Sequence, residues 1–159
     1  MEFLSLESSK HREEVNEHIR KQWGLPVITR GSAIDVVNLP GFIAHDDGEL
    51  IGAILYQIKN GECEIAVLFS LRENIGVGSG LLKAVVEAVK EHGCRRVWLI
   101  TTNDNAPAIR YYQKRGFSLK AVHTNAFKIT QKLKGMGDET IFGIDGIPIL
   151  HEVEFELVF

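Results

Sequence analysis

The sequence predicts an α/β chain of the α+β kind: a mixed sheet of about six to seven strands, with an antiparallel meander early, two helices after it and a carboxy-terminal hairpin. Three observations carry that prediction. From Gly41 to Leu71, three apolar segments, "GFIAH", "LIGAILYQIK" and "CEIAVLFSL", are separated only by "DDGE" and "NGE", which contain the Asp-Gly and Asn-Gly pairs that close hairpins. Two segments of helical period flank "RRVWLITT", whose nearly unbroken apolar run reads as a central strand, buried on both faces and parallel to a neighbour. The tail "HEVEFELVF" alternates Val153, Phe155, Leu157 and Phe159 with acidic residues, the period of a strand with one covered face.

The remaining elements follow in order. "EFLSL" is a short first strand, and Ser9 is placed to cap a helix from Lys10 to Trp23 whose Val15, Ile19 and Trp23 form one stripe. Gly24 and Pro26 end it. A strand at Val27 to Thr29, a helical turn near Ala33 to Val37 and a turn at "LPGF" lead into the meander. The helix from about Ser79 to His92 turns Leu81, Leu82, Val85, Val86 and Val89 inward and stops at Gly93. The next helix opens on Asn caps, carries Pro107 in its first turn and closes at Gly116. "FSLKAVH" and the tail make the final hairpin; Asn125 to Pro148 between them is irregular and reads as a short helix with a mobile loop. No internal repeat is visible.

Composition bounds the function. A hydrophobic fraction of 45% over 159 residues suits one domain, residues 1–159, with one core. There is no apolar run of about 20 residues and no basic-then-apolar leader, so a cytoplasmic protein without a membrane partner is expected. Cys63 and Cys94 are read as reduced and structural, and the scattered histidines predict no metal site. A net charge of −3 argues against a nucleic-acid partner. Yet no acidic residue lies between Asp104 and Asp138, where Arg110, Lys114, Arg115, Lys120, Lys128, Lys132 and Lys134 are found. By itself that run is a solvated basic face; beside a phosphate site it acquires a partner.

The stretch "LFSLRENIGVGSGLL" supplies such a site. Gly76, Gly78 and Gly80 stand just ahead of, and inside, a helix start, where bare backbone and unpaired N–H groups favour phosphates. The Walker pattern fails because Leu81 and Leu82 stand at its second Gly and its Lys; the dinucleotide pattern fails because Leu81 occupies its third Gly. A glycine-rich helix start with no ligand is the plain alternative.

A second segment decides between them. "NDNAPAIRYYQKRGF" resembles the Asn-x-x-Ala-x-x-x-Tyr-x-x-x-Gly-Phe signature of the GNAT superfamily of N-acetyltransferases at Asn105, Ala108, Tyr112, Gly116 and Phe117. The loop resembles the same superfamily's Arg/Gln-x-x-Gly-x-Gly/Ala motif at Gly76 and Gly78, with Glu73 in the leading position and Arg72 one residue earlier. The tail "GIDGIPILHEVEFEL" is similar to a bacterial branch with unassigned substrates, departing from it at Leu150 and His151.

The resemblance implies a GNAT-like sheet with two cofactor-side helices, acetyl-CoA as co-substrate, and direct transfer of the acetyl group to an amine in a ternary complex. Leu68, Phe69 and Ser70 would pair with pantetheine at a strand bulge, the Leu68 N–H serving the thioester oxyanion. Ile75, Gly76, Val77, Gly78, Ser79, Gly80 and Leu81 would hold the pyrophosphate, aided by Lys114 with Arg110 and Arg115. Asn103, Asn105, Ala108 and Tyr112 would contact the rest of the cofactor. Tyr112 occupies the general-acid position, leaving Tyr111 as the packing ring. Glu64, or else Glu62 or a water, would take the ammonium proton. The acceptor is a small-molecule or peptide amine, and the protein a monomer or homodimer. A non-catalytic acyl-CoA sensor or interaction module is the alternative.

Overall fold

The computed structural model describes residues 1–159. In chain order the elements are β1 (Glu2–Ser5), α1 (Arg12–Trp23), β2 (Val27–Thr29), β3 (Ser32–Ile34), β4 (Gly41–Asp46), β5 (Glu49–Lys59) and β6 (Glu62–Ser70). Then follow α2 (Val77–Glu91), β7 (Arg96–Thr102), α3 (Ala106–Lys114), β8 (Ser118–His123), α4 (Ala126–Leu133) and β9 (Glu152–Val158). Seven strands form one sheet in the order β1-β4-β5-β6-β7-β9-β8, and β2 and β3 form a separate pair. The mixed α/β fold, the meander and the final antiparallel pair β8–β9 are as the sequence predicts.

Local differences have local causes. Ser9 caps no helix: its Oγ accepts from the His11 amide and donates to the Leu6 carbonyl, closing a 3-10 turn at Leu6–Ser8, and α1 starts after His11. Trp23 leaves the α1 stripe and is 36% exposed, while Val15 and Ile19 are fully buried. The helical turn expected near Ala33 to Val37 is instead β3 followed by a 3-10 turn at Val36–Asn38, where the Asp35 carboxylate accepts from the Val37 amide. β7 lies inside the sheet, but its burial alternates: Val97 and Leu99 are covered, and Arg96, Trp98 and Ile100 are half-buried.

The chain packs as two compact units, one of Met1–Val27, Asp35–Val97 and Phe159, the other of Ile28–Ile34 and Trp98–Val158. The first unit is built on the meander. Ile43, Ile51, Ile54 and Leu55 are buried in the sheet, and Val77, Leu81, Val85 and Val89 line one side of α2. A fully buried side chain of this kind contributes about 1.5–3 kcal/mol. The turns Asp47-Gly48 and Asn60-Gly61 have positive φ at both residues, the geometry that matches the twist of a two-residue hairpin. β6 carries a bulge: Leu55 pairs with Val67 and Tyr56 with Ile65, so Ala66 is the extra residue. The second unit centres on Leu99, Tyr112, Phe117, Val153 and Phe155. No helix in the chain is long and apolar enough to cross a membrane.

Candidate active site

In the first unit the glycine-rich segment does two different jobs. Gly76 is the N-cap of α2 with φ +86, a left-handed backbone that L side chains rarely adopt, and a Cβ built there meets nothing within 4 Å. The space before the helix is therefore open. The Gly80 N–H donates to the Gly76 carbonyl at 3.0 Å, the first intrahelical bond, so the amides of Val77 and Gly78 precede any helical acceptor. Together with the helix dipole they make an anion site. Gly80 and Leu81, expected in the pyrophosphate site, also have packing roles: a Cβ on Gly80 would overlap the Phe3 ring, and Leu81 is fully buried. Arg72, near the motif's leading position, is committed elsewhere. Its guanidinium bonds Asp46 and Glu49 at 2.9 Å each.

The end of β6 supplies the second feature. The Leu71 amide donates to the Ile51 carbonyl at 2.8 Å, which sets the alternation of the antiparallel ladder. In that register Phe69 faces Ala53 and Val67 faces Leu55 as hydrogen-bonded pairs, whereas Leu68 opposite Ile54 and Ser70 opposite Gly52 are non-hydrogen-bonded pairs. Leu68 and Ser70 therefore direct their N–H and C=O groups away from β5. The bulge expected among these residues lies just before them, at Ala66.

The two candidate bases separate clearly. The Glu62 carboxylate pairs with Arg96 Nε at 2.6 Å and is committed to that ion pair. Glu64 is 5% exposed and opposes Gln57, whose Nε2 donates to Glu64 Oε1 at 2.9 Å. Both acids precede the bulge and share a face, as their spacing requires.

The second unit holds the tyrosine motif. Asn105 caps α3, its Oδ1 accepting from the Ala108 amide at 3.2 Å, and its Nδ2 donates to Thr101. Asn103 holds the loop before β9: its Oδ1 accepts from the Leu150 and His151 amides, its Nδ2 donates to the Pro148 carbonyl and its own amide donates to the His151 carbonyl. Asn103 and Asn105, expected at the cofactor arm, have loop-holding and capping bonds of their own. Arg110 and Lys114 are exposed on α3, as is Arg115 just after it, and the Arg115 guanidinium lies 3.5 Å over the Tyr111 ring.

Tyr112, not Tyr111, is the more buried ring. It packs on Phe117 and Phe155 at 5.6 and 6.1 Å between centroids, and burial pushes its phenol well above the usual tyrosine range. The Tyr111 hydroxyl is buried without a hydrogen-bond partner.

Sequence reasoning missed three acids of this unit. Asp104 is buried and accepts from the Thr102 hydroxyl and the Ile144 amide. Glu152 accepts from the Arg30 amide at 2.9 Å and the Thr130 hydroxyl at 2.8 Å. Glu154 accepts from or pairs with His123 at 2.9 Å, and Arg30 lies 3.7 Å away. Alternation had placed β9's acids on an outer face; the β2–β3 segment and α4 cover it. No group of three or more His, Cys, Asp or Glu is arranged to hold a metal ion.

An open helix start after a meander, followed by a second motif on α3, is the arrangement of an acyl-group transferase, and sequence comparison gives the family. Residues 5–117 match the Acetyltransferase (GNAT) family, and the chain belongs to it; it is an acyltransferase of the N-acetyltransferase type. YdhI of Bacillus subtilis (strain 168) is 41% identical over 154 residues, covering 96% of this chain and 94% of that protein. The fold is similar to a GNAT family acetyltransferase from Elizabethkingia anophelis with acetyl-CoA bound, with TM-score 0.65 and 22% identity over 76% of each chain. It is also similar to the ribosomal-protein-S18-alanine N-acetyltransferase from Escherichia coli, with TM-score 0.68 and 15% identity over 99% of this chain and 94% of that one.

Proposed function

We propose that residues 1–159 act as one catalytic domain that transfers an acetyl group from acetyl-CoA to a primary amine by direct attack. The observation that carries the reading is the start of α2: open space at Gly76, amides of Val77 and Gly78 ahead of the first helical acceptor, and the positive end of the dipole. A pyrophosphate suits that site. The Leu68 N–H, directed away from β5, would polarise the thioester carbonyl.

The acceptor arrives as an ammonium with a pKa of about 10.4 and must lose a proton before its nitrogen attacks. Glu64 takes that proton, directly or through one water. As the nitrogen–carbon bond forms, the nitrogen gives up its second proton to water and the carbon–sulfur bond breaks; Tyr112 donates the proton that turns the leaving thiolate into a thiol and is reprotonated from solvent. Burial keeps the Tyr112 phenol protonated until that moment. The two free cysteines fit a reducing cytoplasm. The partner is an amine-bearing small molecule or peptide, and the working form is a monomer or homodimer.

The test is Gly78→Asp, which places a side chain and a negative charge at the helix start while α2 still packs through Leu81, Val85 and Val89. Calorimetry should show loss of acetyl-CoA binding in a folded variant. Unchanged affinity would refute the loop's role. Acetyl-CoA binding by the wild type with no amine acetylated would make the protein a sensor rather than an enzyme.

A further inference from the structure

Three rings of the first unit converge at the end of β6. The His18 imidazole of α1 lies 4.0 Å from the Phe69 ring, tilted by 32°, and Trp23 stands 6.3 Å from both. Phe69 is 7% exposed, so its ring is the floor; Trp23 at 36% and Leu25 at 40% are open to solvent. The His18 ring is half-buried against Phe69. An exposed tryptophan beside an imidazole in ring contact with Phe69 is an unusual end for a helix whose Val15 and Ile19 are fully buried.

Their place in the strand register gives them meaning. The extra residue Ala66 shifts the parity of β6, so Glu64 opposite Gln57, Val67 opposite Leu55 and Phe69 opposite Ala53 all point to one face. Successive pairs on that face are spaced by about 7 Å. The face thus runs from a buried carboxylate, past Leu68, whose N–H points away from β5, to the aromatic group. The last turn of α1, beside Trp23, carries Arg20 and Lys21, both paired with Glu17, so that turn offers no unpaired carboxylate to a second ammonium group on the acceptor.

We propose that His18, Trp23 and Phe69 form the acceptor-recognition wall and select primary amines bearing a planar aromatic group, arylalkylamines as a class, over linear diamines and polyamines. This rests on the acetyltransferase reading above. The amine nitrogen would sit near Leu68, within one water of Glu64, and the aromatic body would stack against the three rings. Offset or edge-on ring contacts supply the preference.

The experiment uses the full chain in a thiol-release assay with acetyl-CoA and three probes: tryptamine, butylamine and spermidine. The wild type should prefer tryptamine by roughly tenfold or more in kcat/KM. Trp23→Ala and His18→Ala should each reduce the tryptamine-to-butylamine ratio about fivefold, through KM for tryptamine, with KM for acetyl-CoA within twofold. Trp23→Leu keeps apolar bulk at a half-open position and should still lose the ratio. A preference for spermidine or butylamine, variants that lower both amines equally, or no turnover of tryptamine overturns the proposal. Failure of the wild type to bind acetyl-CoA by calorimetry is a separate result and marks failure of the acetyltransferase reading itself.

Discussion

Tyr112 is both a packed ring and the proposed acid, and one substitution separates the roles. Tyr112→Phe keeps the contacts with Phe117 and Phe155 and removes only the hydroxyl. Positioned acids contribute roughly a hundred- to ten-thousand-fold, so kcat should fall at least about tenfold while acetyl-CoA affinity holds. Equal kcat with chemistry rate-limiting would mean that water protonates the thiolate. Tyr111→Phe is the control: its hydroxyl is buried without a partner, so removal should leave kcat unchanged and leave stability the same or slightly higher. The two acids of β6 divide in the same way. Glu64→Gln should lower kcat/KM by about a hundredfold or more and weaken the pH dependence of the rate. Glu62→Gln, by contrast, breaks the ion pair with Arg96 and should lower Tm while leaving the rate nearly intact. A reversed pattern would make Glu62 the base.

At the scale of elements, β9 holds two other pieces of the second unit in place. The Glu152 carboxylate receives the Arg30 amide from between β2 and β3 and the Thr130 hydroxyl from α4, and both Glu152 and Thr130 are buried. Glu152→Ala strands both donors; at about 1–3 kcal/mol for each unsatisfied group, chemical denaturation should show a loss of roughly 2–6 kcal/mol. Thr130→Val removes one bond and should cost less than half of that. Comparable losses for the two variants would show that the Arg30 contact contributes nothing. The segment Asn125 to Pro148, expected to include a mobile loop, is tied down by Asp104 to Ile144, by the Gln131 amide to the Glu139 carbonyl and by the Asn125 amide to His151. Its apolar side chains Ile129, Leu133 and Phe142 are nevertheless open to solvent.

For the whole molecule, the buried titratable groups point to one weakness. Burial, then the neighbouring Cys94, pushes the Cys63 thiol up to about 12, and burial also raises Tyr56 and Tyr112. A folded pKa above the unfolded one stabilises fully below the unfolded value and is lost as pH rises through the folded value. Cys63 alone therefore predicts that stability holds to about pH 9 and declines toward about pH 12. Thermal melts across that range should show a steadily falling Tm. A flat profile would mean that the thiolate and phenolates are accommodated in the fold. Both cysteines are buried, so at neutral pH they should react with a thiol reagent only as fast as the protein opens.

Much of this was legible in the residues because it is local. Asp-Gly and Asn-Gly turns set the meander, the 3.6-residue period marked α1 and α2, and Gly76 marked the helix start, since each depends on neighbours within a few positions. The tyrosine motif and the glycine loop together were enough to place the chain in its family. What depended on distant partners was decided only by the tertiary structure. Gly80 became a seat for Phe3, Arg72 a partner of Asp46 and Glu49, and Asn103 a clamp on Leu150 and His151. The acids of β9 looked solvent-facing by alternation and were buried by segments about 20 and 120 residues away in sequence. The physical reason is common to all four cases: a hydrogen bond or close contact takes its energy from two groups at one place, and sequence spacing specifies that place only within an element.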